Sequence, residues 1–481
     1  MMIAILEDIW IHLVSASVLV LSAFLIGTAI LRKRNTSAAI GWVGLILLSS
    51  PLGSIAYLLF GINRIRRRAL RLRRPDIHSH ESSRSSDALD EANLHLGQGY
   101  PSALAVVVDR LSPMRLVGGN RITPLRDGDC AYPEMIAAID RAERSVLLQT
   151  YIFRVDEAGQ MFVDALKRAR ERGVAVRVLV DGVGVLNSLP SIRWRLRAAE
   201  LRYALFMHSL WPWRMPSRNL RNHHKILVVD GTIGFTGGLN IGADNLLARN
   251  PRHPIRDLHF RIEGPVVTQM LETFANDWEF TTRENIETAD WFDTPAVVGS
   301  AVARGLTGGP DQAVDKLRSV LFAAISEARN SVKIVTPYFL PDEVLVSALK
   351  LAARRGAEID IVIPCASDLR FVDWAVSAWL DEVVEAGCNV WYSVPPFEHT
   401  KLMVVDGVWS FFGSVNWDPR SLRLNFEFNI ECYDVVVATQ LNAIADTMLA
   451  GAQRVTLESL QSRSLPVRLR DGVARLFSPY L

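Results

Sequence analysis

Two stretches of this sequence carry the same reactive groups in the same order. Residues 222–240 read NHHKILVVDGTIGFTGGLN and residues 398–416 read EHTKLMVVDGVWSFFGSVN. His223, Lys225, Asp230, Gly237 and Asn240 are matched by His399, Lys401, Asp406, Gly413 and Asn416, each about 176 residues on, as an internal duplication requires. Each copy reads as a strand entering an Asp-Gly turn with a return strand behind it. Side chains alternate along a strand, so the His and the Lys, two apart, share one surface. Asp230 and Asp406 have the other parity and sit at the turn, where a carboxylate serves the turn and its packing. Gly237 and Gly238 let backbone come close to a ligand, and Asn240 adds a carboxamide donor. Imidazole, ammonium, amide and bare backbone together suit a phosphodiester. A single H-x-K-x-x-x-x-D is a weak signal, but two copies with the same trailing Gly and Asn are hard to obtain by chance.

The elements that must position these groups are duplicated too. In the first half, YPEMIAAIDRAER has helical apolar spacing and leads into the strand SVLLQTYIF. The helix GQMFVDALKRARERG ends at Gly173 before the strand VAVRVLVDG. In the second half AVDKLRSVLFAAISEARN leads into SVKIVTPYF, and DEVLVSALKLAARRG ends at Gly356 before AEIDIVIP. The expected fold class is α/β: two similar α/β sandwich domains with mixed sheets, over 116–297 and 298–481. Ahead of them stand an anchoring segment over 1–74 and a polar, Ser-rich linker over 75–115.

The anchor is read from hydropathy. Ile9 to Leu31 runs about 23 residues without Asp, Glu, Lys or Arg, long enough to cross a bilayer, and Ala38 to Ile62 is about as long but holds Pro51 and Gly53. The pair predicts a membrane helical hairpin, its second segment spanning or re-entrant. Glu7 and Asp8 stand where a signal peptide would be basic. Seven arginines between Arg64 and Arg74 outweigh the Arg32–Arg34 loop, so both hairpin ends, and the catalytic halves, are expected in the cytoplasm. The same arginines can hold anionic lipid headgroups. The net charge of +2 gives no support to a nucleic-acid partner. Cys130, Cys365, Cys388 and Cys432 make no metal spacing and read as buried small hydrophobes.

The residues that carry a family resemblance are now in view. With RNHHKILVVDG, FTGGLNIG, RDLHFRIEGP, TPYFLPDE and GSVNWDPRSLRLNFE, and with YLLFG at the end of the second apolar segment, the chain resembles the phospholipase D superfamily and, within it, the bacterial cardiolipin synthases. The resemblance implies two phospholipase D-like domains and transfer of a phosphatidyl group between two phosphatidylglycerols, with glycerol released. It implies a multi-pass protein of the bacterial inner membrane, with phosphatidylglycerol and anionic membrane lipids as partners. It places His223, Lys225, Asp230, His399, Lys401 and Asp406 in the catalytic set, with His223 as nucleophile and His399 as acid/base by similarity alone. Lys225, Lys401, Asn240 and Asn416 would hold the phosphate oxygens, with Ser414 and Gly238 beside them. A catalytic His needs a carboxylate to fix its tautomer. Glu427 is the expected partner in the second half, and Asp257 is the nearest candidate in the first. His224 and His259 are supporting polar residues. No metal or other cofactor is implied, since lysines supply the positive charge. The alternative activities are hydrolysis or transfer to another alcohol.

Two further segments bear on the membrane. SLWPWRMPSRNLRN mixes Trp211 and Trp213 with Arg214, Arg218 and Arg221, a composition for an interface or for core packing. SLPVRLRDGVARLFSPYL at the C-terminus has the spacing of an amphipathic helix, either interfacial or packed on the body.

Overall fold

The structure, a computed structural model, describes residues 2–33, 36–61, 102–187, 190–207, 220–286, 292–310 and 315–478. Residues Met1–Arg71 form one compact unit and Leu72–Leu481 another. The arginine run 64–74, most of the expected linker and the Trp211–Met215 segment lie outside the described residues.

In the first unit a helix over Met2–Arg32 contains an apolar stretch, His12–Arg32, long enough to cross a membrane. The second apolar run is not one segment. It forms a helix over Thr36–Leu48, a break around Pro51, a short helix over Leu52–Ala56 and a π-turn over Tyr57–Gly61. Proline offers no backbone N–H, so the helix stops there. At 1.5 Å per residue, the Thr36–Leu48 helix is about 20 Å long, short of a ~30 Å hydrocarbon core. Only the first helix, among the described residues, has the length to span. The helices are joined by polar contacts suited to an apolar medium: Ser22 Oγ lies 2.9 Å from both Ser50 Oγ and Ser54 Oγ.

The second unit is built on a 15-stranded sheet and a separate two-stranded one. Its first-half strands are β1 (Val117–Arg126), β2 (Ser145–Thr150), β3 (Ala175–Asp181), β4 (Tyr203–Phe206), β5 (Ile226–Val229), β6 (Ile233–Gly237), the two-residue β7 (Ile255–Arg256) and β8 (Leu258–Glu263). The second half supplies β9 (Ala301–Gly308), β10 (Ser331–Val335), β11 (Glu358–Pro364), β12 (Asn389–Ser393), the two-residue β13 (Phe397–Glu398), β14 (Leu402–Val405), β15 (Trp409–Gly413), β16 (Glu427–Tyr433) and β17 (Gln453–Val455). The strand order is β17-β12-β11-β10-β14-β15-β16-β9-β1-β8-β6-β5-β2-β3-β4. Read outward from the central β9–β1 pair, β16-β15-β14-β10-β11 repeats β8-β6-β5-β2-β3. The two expected domains therefore share one continuous sheet and close around one junction.

The helices foreseen before and after β2 and β10 are present over Asp127–Arg141, Glu157–Glu171, Lys316–Glu327 and Glu343–Arg354. Their apolar faces pack on a sheet whose central strands are buried, which explains runs such as ILVV and LMVV without polar alternation. The linker needs correcting at its end: Ser102–Leu111 is a helix whose Leu104, Ala105 and Val108 are buried in the second half's core. Asp109 on that helix pairs with the buried Arg304.

Candidate active site

Each motif histidine sits just before a central strand, on backbone held by the opposite half. The His223 N–H donates to the carbonyl of Phe426 at 2.9 Å, and the His399 N–H donates to the carbonyl of Arg256 at 2.8 Å. The second contact continues the parallel pairing of β13 with β7. Phe426 and Arg256 immediately precede Glu427 and Asp257, so the same crossing delivers a carboxylate to each imidazole.

His223 Nδ1 lies 2.9 Å from Glu427 Oε2, and His399 Nδ1 lies 2.6 Å from Asp257 Oδ2. This corrects the expected pairing, in which each half kept its own carboxylate. The strands that end at Gly237 and Gly413 meet at the junction, so the nearest carboxylate to each histidine comes from across it. Asp257 and Glu427 are almost fully buried, 2% and 0% exposed, and leave their histidines with Nε2 as the free ring nitrogen.

The lysines complete a compact polar centre. Lys225 and Lys401 are buried, and each Nζ donates to the carbonyl of the histidine two residues before it. Asn240 and Asn416 follow the return strands β6 and β15. The Asn240 carbonyl receives the Tyr132 hydroxyl at 2.6 Å, and its side-chain oxygen accepts from the Ile152 N–H at 3.2 Å. The Asn416 side-chain oxygen is buried and has no partner among the described residues.

Four other site residues take structural positions. The Gly238 N–H, expected at the phosphate, donates to the carbonyl of Leu258. A Cβ at Gly238 would meet Asp257 Oδ1 at 2.0 Å, so this glycine makes room for the carboxylate that orients His399. Ser414, its counterpart, donates its hydroxyl to Glu427 and thus serves the carboxylate rather than a phosphate. The Asp230 carboxylate accepts the N–H groups of Glu143, Arg144 and Ser145 at 3.0, 2.8 and 2.8 Å. Asp406 does the same for Arg329, Asn330 and Ser331. Both aspartates have positive φ and pin the strand turn to the start of the neighbouring strand. These contacts give them the turn position that their parity along the strand suggests.

Burial shapes the charges. It holds His223 well below its ordinary range, with Lys225, Lys401 and His399 adding to the effect. His399 is lowered by burial and then by Lys401, against the pull of Asp257. Burial brings Lys225 down to about 7 and Lys401 to about 8. The carboxylates diverge. Burial pushes Glu427 up to about 7, against the pull of Lys225. Burial also opposes ionisation of Asp257, but Lys401 and His399 overcome it and hold its carboxyl below the usual range. That each motif's charges bear on the other's means that the duplicated motifs make one site.

Sequence reading missed several neighbours because nothing local marks them. The Tyr151 ring packs edge-on against His223 at 5.1 Å, and Lys225 Nζ lies 5.8 Å from its centre. Arg221, grouped in sequence with Trp211 and Trp213, donates to the Tyr151 hydroxyl at 2.9 Å. Nearby, burial lowers Arg420, with Arg221 adding to the effect against the pull of Asp418 and Asp181. Asp277 accepts from Gln149, Asn222 and His224 at 2.7, 2.7 and 2.8 Å, which makes His224 a brace behind the motif. His259 is buried against Gly237, and burial lowers it to about 3. Among the described residues, no group of three or more His, Cys, Asp and Glu could hold a metal ion. Cys388 and Cys432 are buried as expected, whereas Cys130 and Cys365 are exposed.

The chain is similar to known proteins. The family described as cardiolipin synthase, phospholipase D-like domain, matches residues 135–278 and 321–449, and a phospholipase D-nuclease N-terminal family matches residues 20–61. A cardiolipin synthase of Geobacillus kaustophilus (strain HTA426) is 32% identical over 94% of this chain and 90% of its own length. Cardiolipin synthase A of Pseudomonas fluorescens is 32% identical over 94% and 95%. Among solved structures, phosphatidylserine synthase of Haemophilus influenzae Rd KW20 superposes with a TM-score of 0.61 at 15% identity, over 79% of this chain and 100% of that one, a likeness of fold.

Proposed function

The chain belongs to the cardiolipin synthase family of phospholipase D-like proteins, and we propose that it moves a phosphatidyl group from one phosphatidylglycerol to the free hydroxyl of another through a covalent intermediate on His223. The observation that carries this reading is the crossed pair of histidine–carboxylate contacts in a single site.

In the first step the His223 Nε2 lone pair attacks phosphorus, the bond from phosphorus to the glycerol oxygen breaks, and His399 gives that oxygen its proton. In the second, His399 takes the proton of the incoming lipid hydroxyl, whose oxygen attacks phosphorus as the N–P bond breaks and His223 is restored. The environments support this division of labour. His223, held neutral by burial with its Nδ1 on Glu427, has Nε2 free to attack. Burial and Lys401 disfavour the imidazolium of His399, and the Asp257 carboxylate on its Nδ1 opposes them, supporting the protonated form an acid needs. Lys225, Lys401, Asn240 and Asn416 hold the non-bridging oxygens as charge builds.

The protein is membrane-associated. Its finer topology is a proposal: an N-terminal hairpin whose first helix crosses the bilayer and whose broken second segment returns the chain, with both hairpin ends and the catalytic unit on the cytoplasmic side. The test is reconstitution of the full chain in bilayers of labelled phosphatidylglycerol. Cardiolipin and glycerol are the expected products, and deletion of residues 1–62 is expected to lower synthesis more than cleavage of a soluble phosphodiester. Phosphatidic acid as the main product at every acceptor concentration would make the chain a hydrolase.

A further inference from the structure

The C-terminal helix Leu465–Leu476 is fastened by one face only. Asp471 and Ala474 are buried, and Asp471 is bonded to Arg463 at 2.8 Å and Arg470 at 2.7 Å. On the opposite face Leu465, Leu469, Val473 and Leu476, spaced by four, four and three, are 66%, 61%, 54% and 75% exposed. Phe477 continues the stripe and meets Phe371 edge-on at 5.8 Å, and Phe371 and Leu369 are themselves exposed. Arg470 and Arg475 flank it over Trp374 and Trp379, at 4.5 and 4.0 Å. Arg468 is exposed beside Leu469. Scattered surface leucines need no explanation, but a contiguous apolar stripe edged with arginines does.

The stripe runs to the mouth of the catalytic site. Leu369 follows Asp368, which accepts from the Tyr338 hydroxyl. The Tyr338 ring lies 6.4 Å from that of Phe397, which lies 5.7 Å from His399. The other flank repeats the pattern. Leu186, in the turn after β3 that corresponds to the turn carrying Leu369 after β11, is 50% exposed, and Trp194 on the following helix is 69% exposed. Both rims of the site thus present apolar side chains.

We propose that this rim is a bilayer-docking surface of the catalytic unit: the stripe Leu465–Leu469–Val473–Leu476 with Leu369 and Phe371 enters the headgroup–acyl boundary of an anionic membrane, and Arg468, Arg470 and Arg475 meet lipid phosphates. The proposal rests on the reading that the substrate is a membrane phospholipid. It gives the catalytic unit a contact with the membrane separate from the N-terminal helices, and sets the mouth of the site against the surface that holds the substrate. Charge favours lipid over a second copy, because a two-fold contact of this stripe with itself brings two rows of arginines together.

The test uses full-length protein with Cys130→Ser and Cys365→Ser, reconstituted in vesicles of phosphatidylglycerol and phosphatidylcholine. An environment-sensitive NBD label at Leu469→Cys is expected to shift to the blue and be quenched by doxyl lipids. The same label at Glu358→Cys, at the opposite end of β11 from the site, is expected to remain in water. In a second arm, Leu469→Glu with Val473→Glu is expected to lower synthesis from bilayer phosphatidylglycerol roughly tenfold relative to cleavage of soluble glycerophosphoglycerol. A Leu469 label as exposed as the Glu358 label overturns the proposal, as does a folded double variant with no loss on lipid. Should that variant fail to fold, the label decides. A hydrolase product would overturn the assigned reaction and leave the label result standing.

Discussion

His223 Nδ1 lies 2.9 Å from Glu427 Oε2, although the two residues are 204 positions apart and belong to opposite halves of a duplicated chain. The reciprocal contact joins His399 to Asp257 at 2.6 Å. Neither half supplies the carboxylate of its own motif histidine, so the two halves close around one shared site.

The crossed pairs predict that Glu427→Gln and Asp257→Asn each lower kcat by roughly two to four orders of magnitude with little change in KM, since a positioned tautomer is lost and the phosphate ligands remain. Adding Glu427→Gln to His223→Ala is expected to cost almost nothing further. Steady-state rates for the singles and the double test this, and additive losses would separate the two residues.

Both histidines in one site predict that His223→Ala and His399→Ala each cost at least roughly three orders of magnitude, with the double variant little worse. Two independent sites would leave each single variant about half its activity. Their roles separate with a phosphatidyl p-nitrophenyl ester, whose leaving group needs no acid. His399→Ala is expected to release one equivalent of nitrophenol in a burst, and His223→Ala none.

The alkaline limb of the pH profile follows from the lysines. A lysine is cationic below its pKa, and burial brings Lys225 to about 7 and Lys401 to about 8. Positive charge at the phosphate is therefore lost as pH rises from 7 to 9, where an ordinary lysine would keep it. We expect kcat/KM to fall across that range. Lys401→Arg, whatever its absolute rate, is expected to shift the upper part of the fall to higher pH, because a guanidinium keeps its proton there. An unchanged limb would remove Lys401 from phosphate binding.

Asp230 and Asp406 give the opposite signature from the histidines. Each carboxylate accepts three backbone N–H groups at a turn. Asp230→Ala is expected to cost about 1–3 kcal/mol of stability and to lower the thermal midpoint. Turnover per folded molecule, measured well below that midpoint, should stay within a few-fold of the wild-type value. A loss of several orders of magnitude in fully folded protein would return Asp230 to the catalytic set.

The sequence by itself determined the chemistry and the repeat. His223, Lys225 and Asn240 and their counterparts are legible because their identities, parity and spacing are local properties that a strand, a turn and a return strand preserve. The α/β class and the helices before and after β2 and β10 were legible for the same reason, since apolar period depends on nearest neighbours. The turn position of Asp230 and Asp406 also followed from parity.

Tertiary structure alone decided who serves whom. Glu427 reaches His223, and Asp257 reaches His399, because β1 and β9 pair at the centre of a single sheet and bring the ends of β6 and β15 against one another. No spacing within either half encodes that exchange, which brings together residues 204 and 142 positions apart. The same closure commits Gly238 and Ser414 to seating carboxylates, sets Arg221 against Tyr151, and leaves one face of the Leu465–Leu476 helix bare. Packing at a junction depends on which surfaces meet, and sequence period along a strand fixes only the surface each side chain joins.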